Sequence, residues 1–188
     1  MDALSEVLGR VRLKDTSWAC VIAGSPWGVS FPETKGCVRF HYVSRGSCWL
    51  SLDNSSQPRI ALSGGDLAML PQGHGHSLRE QPRSHPIKFE DVLKRAAGAT
   101  EDVVHHVEVG GLGPKSSLIY GAFMFDESVE APMLATLPPV IRITPDAGEA
   151  VPSFLQNLQF ISRELDSDRP GSQIVLTRMA DVIFVQVL

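Results

Sequence analysis

What most constrains the fold is a change of hydrophobic period along the chain. Between residues 18 and 78 the apolar residues fall in short runs rich in Val, Phe, Tyr, Trp and Leu, each closed by Gly, Pro, Asn or Ser. Runs of that kind, closed in that way, are strands, and their close spacing predicts antiparallel neighbours. Near residue 150 the period lengthens to that of a helix, about 3.6. Phe154, Leu158, Ile161 and Leu165 trace one stripe, and Ile174, Val175, Met179, Val182 and Gln186 another, joined by the turn Asp168-Arg169-Pro170-Gly171. The chain therefore reads as mainly β: a barrel or sandwich within residues 1–150, then an antiparallel helix pair within residues 151–188.

The expected strands cover residues 18–23, 38–45, 48–53, 58–62, 67–70 and 75–79, then 103–109 and 116–126. Ser44-Arg45-Gly46-Ser47 and Asp53-Asn54-Ser55-Ser56 hold the small and polar residues that hairpin turns need. Leu4, Val7, Leu8 and Val11 behind a capping Asp2 predict a short N-terminal helix. Residues 80–102, with Pro82 and Pro86, predict a surface excursion that carries one helical piece over residues 89–97. Gly110-Gly111-Leu112-Gly113-Pro114 has the composition of a phosphate loop. No helical pattern opens after it, so the anion site such loops build is not formed and a hairpin end is expected.

Composition removes several functions. A chain of 188 residues with 43% apolar and 20% charged residues folds as one domain, with room for a helical appendage. Lys and Arg total 17 against 21 for Asp and Glu, and the bases form no stripe that would neutralise a row of phosphates, so this segment alone is a poor DNA binder. The absence of a secretory pattern and of any apolar run of membrane-spanning length predicts a cytoplasmic protein with no membrane partner. Cys20, Cys37 and Cys48 are odd in number and lack C-x-x-C spacing, which predicts reduced thiols. The almost wholly apolar stretch from Val182 to Leu188 predicts that further chain follows in the native gene product.

The string Gly65-Asp66-Leu67-Ala68-Met69-Leu70-Pro71-Gln72-Gly73-His74-Gly75-His76 resembles the second motif of the cupin family throughout. Phe40-His41-Tyr42-Val43-Ser44-Arg45-Gly46 resembles the end of the first motif. The His-x-His pair and glutamate that open that motif in metal-binding cupins are missing, their places falling near Glu33, Thr34, Lys35 and Arg39. A finer resemblance, nearly end to end, is to the cupin half of AraC-type transcription regulators. It is carried by Phe40-His41-Tyr42-Val43, Gly46-Ser47-Cys48-Trp49-Leu50, Gly65-Asp66, Leu70-Pro71, His76, Gly121 to Asp126, Leu137-Pro138-Pro139-Val140-Ile141 and Phe184-Val185-Gln186. That resemblance implies a double-stranded β-helix barrel binding a small-molecule effector and a helix pair joining two protomers into a homodimer. It also implies DNA binding through a C-terminal helix-turn-helix part that this chain lacks.

Strand alternation then assigns faces. With Val43 inward, His41 is inward and Tyr42 outward; beyond the turn, Cys48 and Leu50 are inward and Trp49 outward; the Pro71-x-Gly73 bend aims His76 inward. His41, Cys48 and His76 are the candidate ligand-binding residues. Two imidazoles and a thiolate with an open fourth position are also a set that zinc accepts. The alternative is a polar pocket of hydrogen-bonded histidines, with Cys48 a small core residue. Asp66 reads as a turn former and His74 and His85 as surface residues, while His105 and His106, adjacent on one strand, face opposite ways. No Ser-His-Asp order is found. Leu155, Gln159, Val175, Met179 and Val182 are the candidate dimer contacts. The competing reading of the whole is a metal-dependent cupin enzyme, a dioxygenase or isomerase, with a storage-type cupin third.

Overall fold

The computed structural model describes residues 13–95, 106–125, 132–145, 151–165 and 169–187. The expected N-terminal helix and His105 lie outside them. Eleven strands follow in chain order: β1 (Leu13–Gly24), β2 (Gly28–Phe31), β3 (Cys37–Arg45), β4 (Ser47–Leu52), β5 (Ile60–Ser63), β6 (Leu67–Leu70), β7 (His76–Arg79), β8 (Ile87–Lys88), β9 (His106–Gly110), β10 (Lys115–Phe125) and β11 (Ile141–Ile143). The described helices are α1 (Phe89–Arg95), α2 (Pro132–Thr136), α3 (Val151–Leu165) and α4 (Ser172–Val187).

The strands form two sheets, ordered β11-β6-β3-β10-β1-β9 and β5-β4-β7-β2-β8. Neither closes on itself among the described residues; the two sheets face each other across one core, which is consistent with the expected barrel. Pairing is antiparallel except for β1 with β9 and β2 with β8. The Ser44–Ser47 turn makes no hairpin. Both edges of β3 are taken by β10 and β6, so Gly46, at φ +85°, turns the chain out of one sheet and into the other. The second expected turn does close a hairpin, β4 with β5, and Asn54 there takes the left-handed conformation.

The glycine corner differs from expectation too. β9 and β10 lie on opposite sides of β1 rather than beside each other, and the corner passes over the end of β1. Gly111 donates to the Gly24 carbonyl at 2.7 Å and Gly113 to the Ser25 carbonyl at 3.0 Å. A Cβ on Gly24 would stand 2.0 Å from the Gly111 oxygen, so the crossing needs bare backbone.

The six-stranded sheet is apolar on both faces, and this decides the layering. Inward, Val21, Val43, Leu118, Tyr120 and Ala122 meet Val29, Phe31, Cys48, Leu50 and Leu78 of the other sheet. Outward, Trp18, Phe40, Tyr42, Met69, Ile119 and Phe123 pack beneath Leu134 of α2, Leu158 and Ile161 of α3, and Ile183 of α4. Trp18, Phe40 and Phe123 are in ring contact there. Asn157 donates to Gln186 at 2.9 Å and Ser172 to Glu164 at 2.7 Å, fixing α3 and α4 as antiparallel.

Residues 80–95 are not a plain surface excursion. β8 joins the five-stranded sheet beside β2, and α1 sends Phe89 and Val92 into the space between the sheets. Their three-residue spacing puts both on one helix face. β2, β11 and α2 also go beyond what periodicity predicts, being only three to five residues long.

Candidate functional site

His41 is set by register. It stands opposite Tyr120 of β10 and Ala68 of β6, on the face of β3 that carries Val43. His76 is set by the turn before it: Gly73, at φ +66°, nests where a Cβ would lie 2.0 Å from the Thr34 carbonyl oxygen, and β7 starts at once, with His76 opposite Phe31 and Leu52. Both imidazoles are shut from solvent, His41 at 1% and His76 at 0% exposure, and their Nε2 atoms are 2.7 Å apart. The His76 ring stacks on Phe31 at 4.8 Å.

The hydrogen bonds fix the protons. Nδ1 of His76 is 2.8 Å from the His74 carbonyl, an acceptor only, so His76 carries its proton on Nδ1 and donates it there. Its Nε2 is then a lone pair, and Nε2–H of His41 donates to it. Burial holds both rings neutral. The His76 pKa is pushed down to about 3, chiefly by burial, with Arg39 and His74 adding and the bond to the His74 carbonyl opposing. His41 is lowered well below its ordinary value by burial, then by His76 and Arg39.

Beside the pair, Phe31, Phe89 and Tyr120 form an aromatic cluster with centroid separations of 4.8 to 5.3 Å. Tyr120 has its phenol pushed up to about 12 by burial. His41 and Tyr120, with Trp27, Phe31, Phe89 and Val92 among the apolar residues, line a cavity of about 20 Å³, which is room for roughly one water. Arg39, on the same face of β3 as His41, is 6% exposed. Its terminal nitrogens donate to the Pro32 carbonyl and the Thr34 hydroxyl, while Nε–H finds no partner among the described residues.

Cys48 does not join this group. Leu52 stands opposite His76, and Cys48 is four positions further along β4, roughly 13 Å at strand rise. Burial pushes its thiol up to about 12, with Asp66 adding, so it stays a protonated core residue. Among the described residues no three or more His, Cys, Asp or Glu side chains are placed to hold a metal. The histidine pair itself is too tight, since two nitrogens on one tetrahedral zinc are about 3.3 Å apart. The zinc set of His41, Cys48 and His76 is therefore not assembled.

Asp66 closes its turn by accepting from the Ser63 amide at 2.9 Å, and it pairs with Arg142 at 2.7 Å. His74 reaches Gln72 at 2.7 Å and His85 is exposed. On the helices, Gln159, Val175 and Val182 are exposed, whereas Met179 turns inward against the outer core. The side chain of Leu155 lies outside the described residues. Ile174, 69% exposed, and Phe160, 43%, add apolar surface that was not among the expected contacts. The parity that placed His41 and Val43 also places Arg39 inside, and that was the signal for it. Phe31 and Phe89 gave none, since their strand and helix are too short to show a period.

A sequence profile described as cupin matches residues 2–188. The chain is 30% identical over 188 residues to an AraC-like transcription regulator of Streptomyces lividans, covering all of this chain and 59% of that protein. It is 27% identical over 189 residues to the HTH-type transcriptional regulator MtrA of Neisseria gonorrhoeae, covering 58% of it. The chain thus spans under two thirds of the length of these relatives. Among solved structures, apo ToxT from Vibrio cholerae aligns with 95% of this chain and 56% of its own at 7% identity, with a TM-score of 0.49. The chain belongs to the cupin family, in the form that is similar over its whole length to AraC-like transcription regulators.

Proposed function

We propose that this chain is the effector-sensing and self-associating part of a transcription regulator and not an enzyme. A small molecule enters between the sheets against His41 and His76, α3 and α4 pair two copies, and DNA is read by a helix-turn-helix part outside this chain. The names of the relatives and the unmatched remainder of their length support the last point, as does the charge of -4 without a basic stripe.

The observation that carries the reading is that one wall serves two purposes. Strands β1, β3 and β10 present Val21, His41, Leu118 and Tyr120 to the cavity and, at alternate positions, Trp18, Phe40, Tyr42 and Ile119 to the helices. The cavity and the bed of α3 and α4 are thus separated by a single sheet, and whatever repositions the cavity side acts on the helix side. Among the described residues no third ligand joins the two imidazoles, so the metal-dependent enzyme has no support from them.

The test is a small-molecule screen by melting temperature, with self-association followed by sedimentation. Stabilising molecules should lose their effect with His76→Ala and keep it with exposed His85→Ala, and Val182→Glu should turn a dimer into monomers. Stabilisers indifferent to His76 would overturn the site, and a dimer indifferent to Val182 would move the interface elsewhere.

A further inference from the structure

Arg39 is a permanent charge in the interior, and among the described residues it pairs with no carboxylate. Its guanidinium binds the Pro32 carbonyl and the Thr34 hydroxyl and interacts with the Cys37 thiol and the Tyr120 phenol, all neutral. Four ionisable groups that sense its charge are neutral as well. The imidazoles of His41 and His76 are held deprotonated, and the Tyr120 phenol and the Cys37 thiol are held protonated, each chiefly by burial. The buried carboxylate, Asp66, is already bound to Arg142.

A lone buried charge is among the costliest things a fold can hold. Binding the Pro32 carbonyl and the Thr34 hydroxyl does not need one, because a neutral amide donates equally well. The free Nε–H is a second mark, as buried donors are almost always satisfied. Position supplies the third. Along β3 Arg39 is two residues from His41, about 7 Å, and beyond His41 and Tyr120 lies the apolar cavity. Polar head and apolar pocket are therefore laid out in line.

We propose that Arg39 anchors a carboxylate of the effector, so that the sensed molecule is an organic acid whose apolar body passes the His41–His76 pair into the cavity. The assignment rests on the interior being the effector site. The indole N–H of Trp27, which lines the cavity and also has no partner among the described residues, suits a hydroxyl or carbonyl on that body. The body displaces Phe89 and Val92 of α1, since the present space holds only about one water.

The experiment measures binding of benzoate, 3-phenylpropanoate, hexanoate and decanoate to the chain, each beside its primary amide, by calorimetry and melting temperature. At least one acid should bind where its amide does not, and Arg39→Met should weaken that acid at least tenfold. If Arg39→Met does not fold, the comparison of acid with amide on the unaltered chain decides alone. Amides that bind as well as the acids, acids that bind Arg39→Met undiminished, or acids that do not bind at all would overturn the assignment. Amide binding that is lost with His76→Ala would leave the effector site standing and remove Arg39 from it. Binding of either kind that ignores both Arg39→Met and His76→Ala would remove both.

Discussion

The buried histidine pair makes stability depend on pH in a defined direction. In the unfolded chain both imidazoles take protons near their ordinary value of about 6.5. In the fold His76 holds out to about 3 and His41 is also well lowered. Between those values the unfolded state binds more protons, so stability falls as pH falls, and above pH 7 the pair has no effect. A proton on His76 would go to Nε2, the atom that accepts from His41, and would place two N–H groups 2.7 Å apart. At pH 5 the His76 imidazole should have cost about 2 kcal/mol, and His41 adds to the loss in the same direction. Carboxylates titrate in the same range and must be subtracted. Urea unfolding at pH 7.5 and pH 5.0 is therefore compared between the unaltered chain and His41→Gln, His76→Gln. The double variant should lose at least about 2 kcal/mol less on acidification. Equal losses would mean that the rings titrate normally inside the fold, and the neutral pair would be refuted.

Three further outcomes follow from packing. Gly121→Ala puts a methyl 2.1 Å from Phe40, a ring held by Trp18 and Phe123, and should cost about 2 to 3 kcal/mol by urea unfolding. Phe89→Ala removes a ring packed on Phe31 and Tyr120 and should cost about 3 kcal/mol; near-zero loss would show that α1 does not close the interior. Cys48→Ala should cost about 1 kcal/mol and leave the metal content by mass spectrometry unchanged; zinc lost with Cys48 would restore the set that the β4 register denies.

How much the sequence revealed depended on length. β3 and β10, nine and eleven residues long, repeat their period often enough to assign faces, and so His41, Val43 and Tyr42 could be placed from the sequence. The motif around Pro71-x-Gly73 located His76 because its glycine is needed where the turn meets the Thr34 carbonyl. Cys48 shows the limit of parity: being inward is a statement about a face, and distance along the strand was invisible until β4 was paired with β7. Which strands pair is a non-local choice. That is why the Ser44–Ser47 turn and the glycine corner read as hairpins although both carry the chain elsewhere. Arg39 was legible in place but not in meaning, because an unpaired charge is recognised only when all of its neighbours are known.

If the chain senses an effector as proposed, the small size of the cavity is itself part of the response. A preformed pocket would bind its effector without changing anything, since a ligand shifts an equilibrium only by its difference in affinity between two states. Here Phe89 occupies the aromatic cluster against Phe31 and Tyr120, and α1 belongs to neither sheet. Expelling one phenylalanine side chain costs about 2 kcal/mol of apolar burial, which lowers the effector's affinity about thirtyfold relative to an open pocket. Tyr120 is followed by Gly121 and preceded by Ile119, and these lie on the opposite face, under Phe40 and the helix pair. On the proposed reading, the strand that lines the effector site on one side supports the helices on the other, and an effector would enter the small cavity only by rearranging that strand's neighbours.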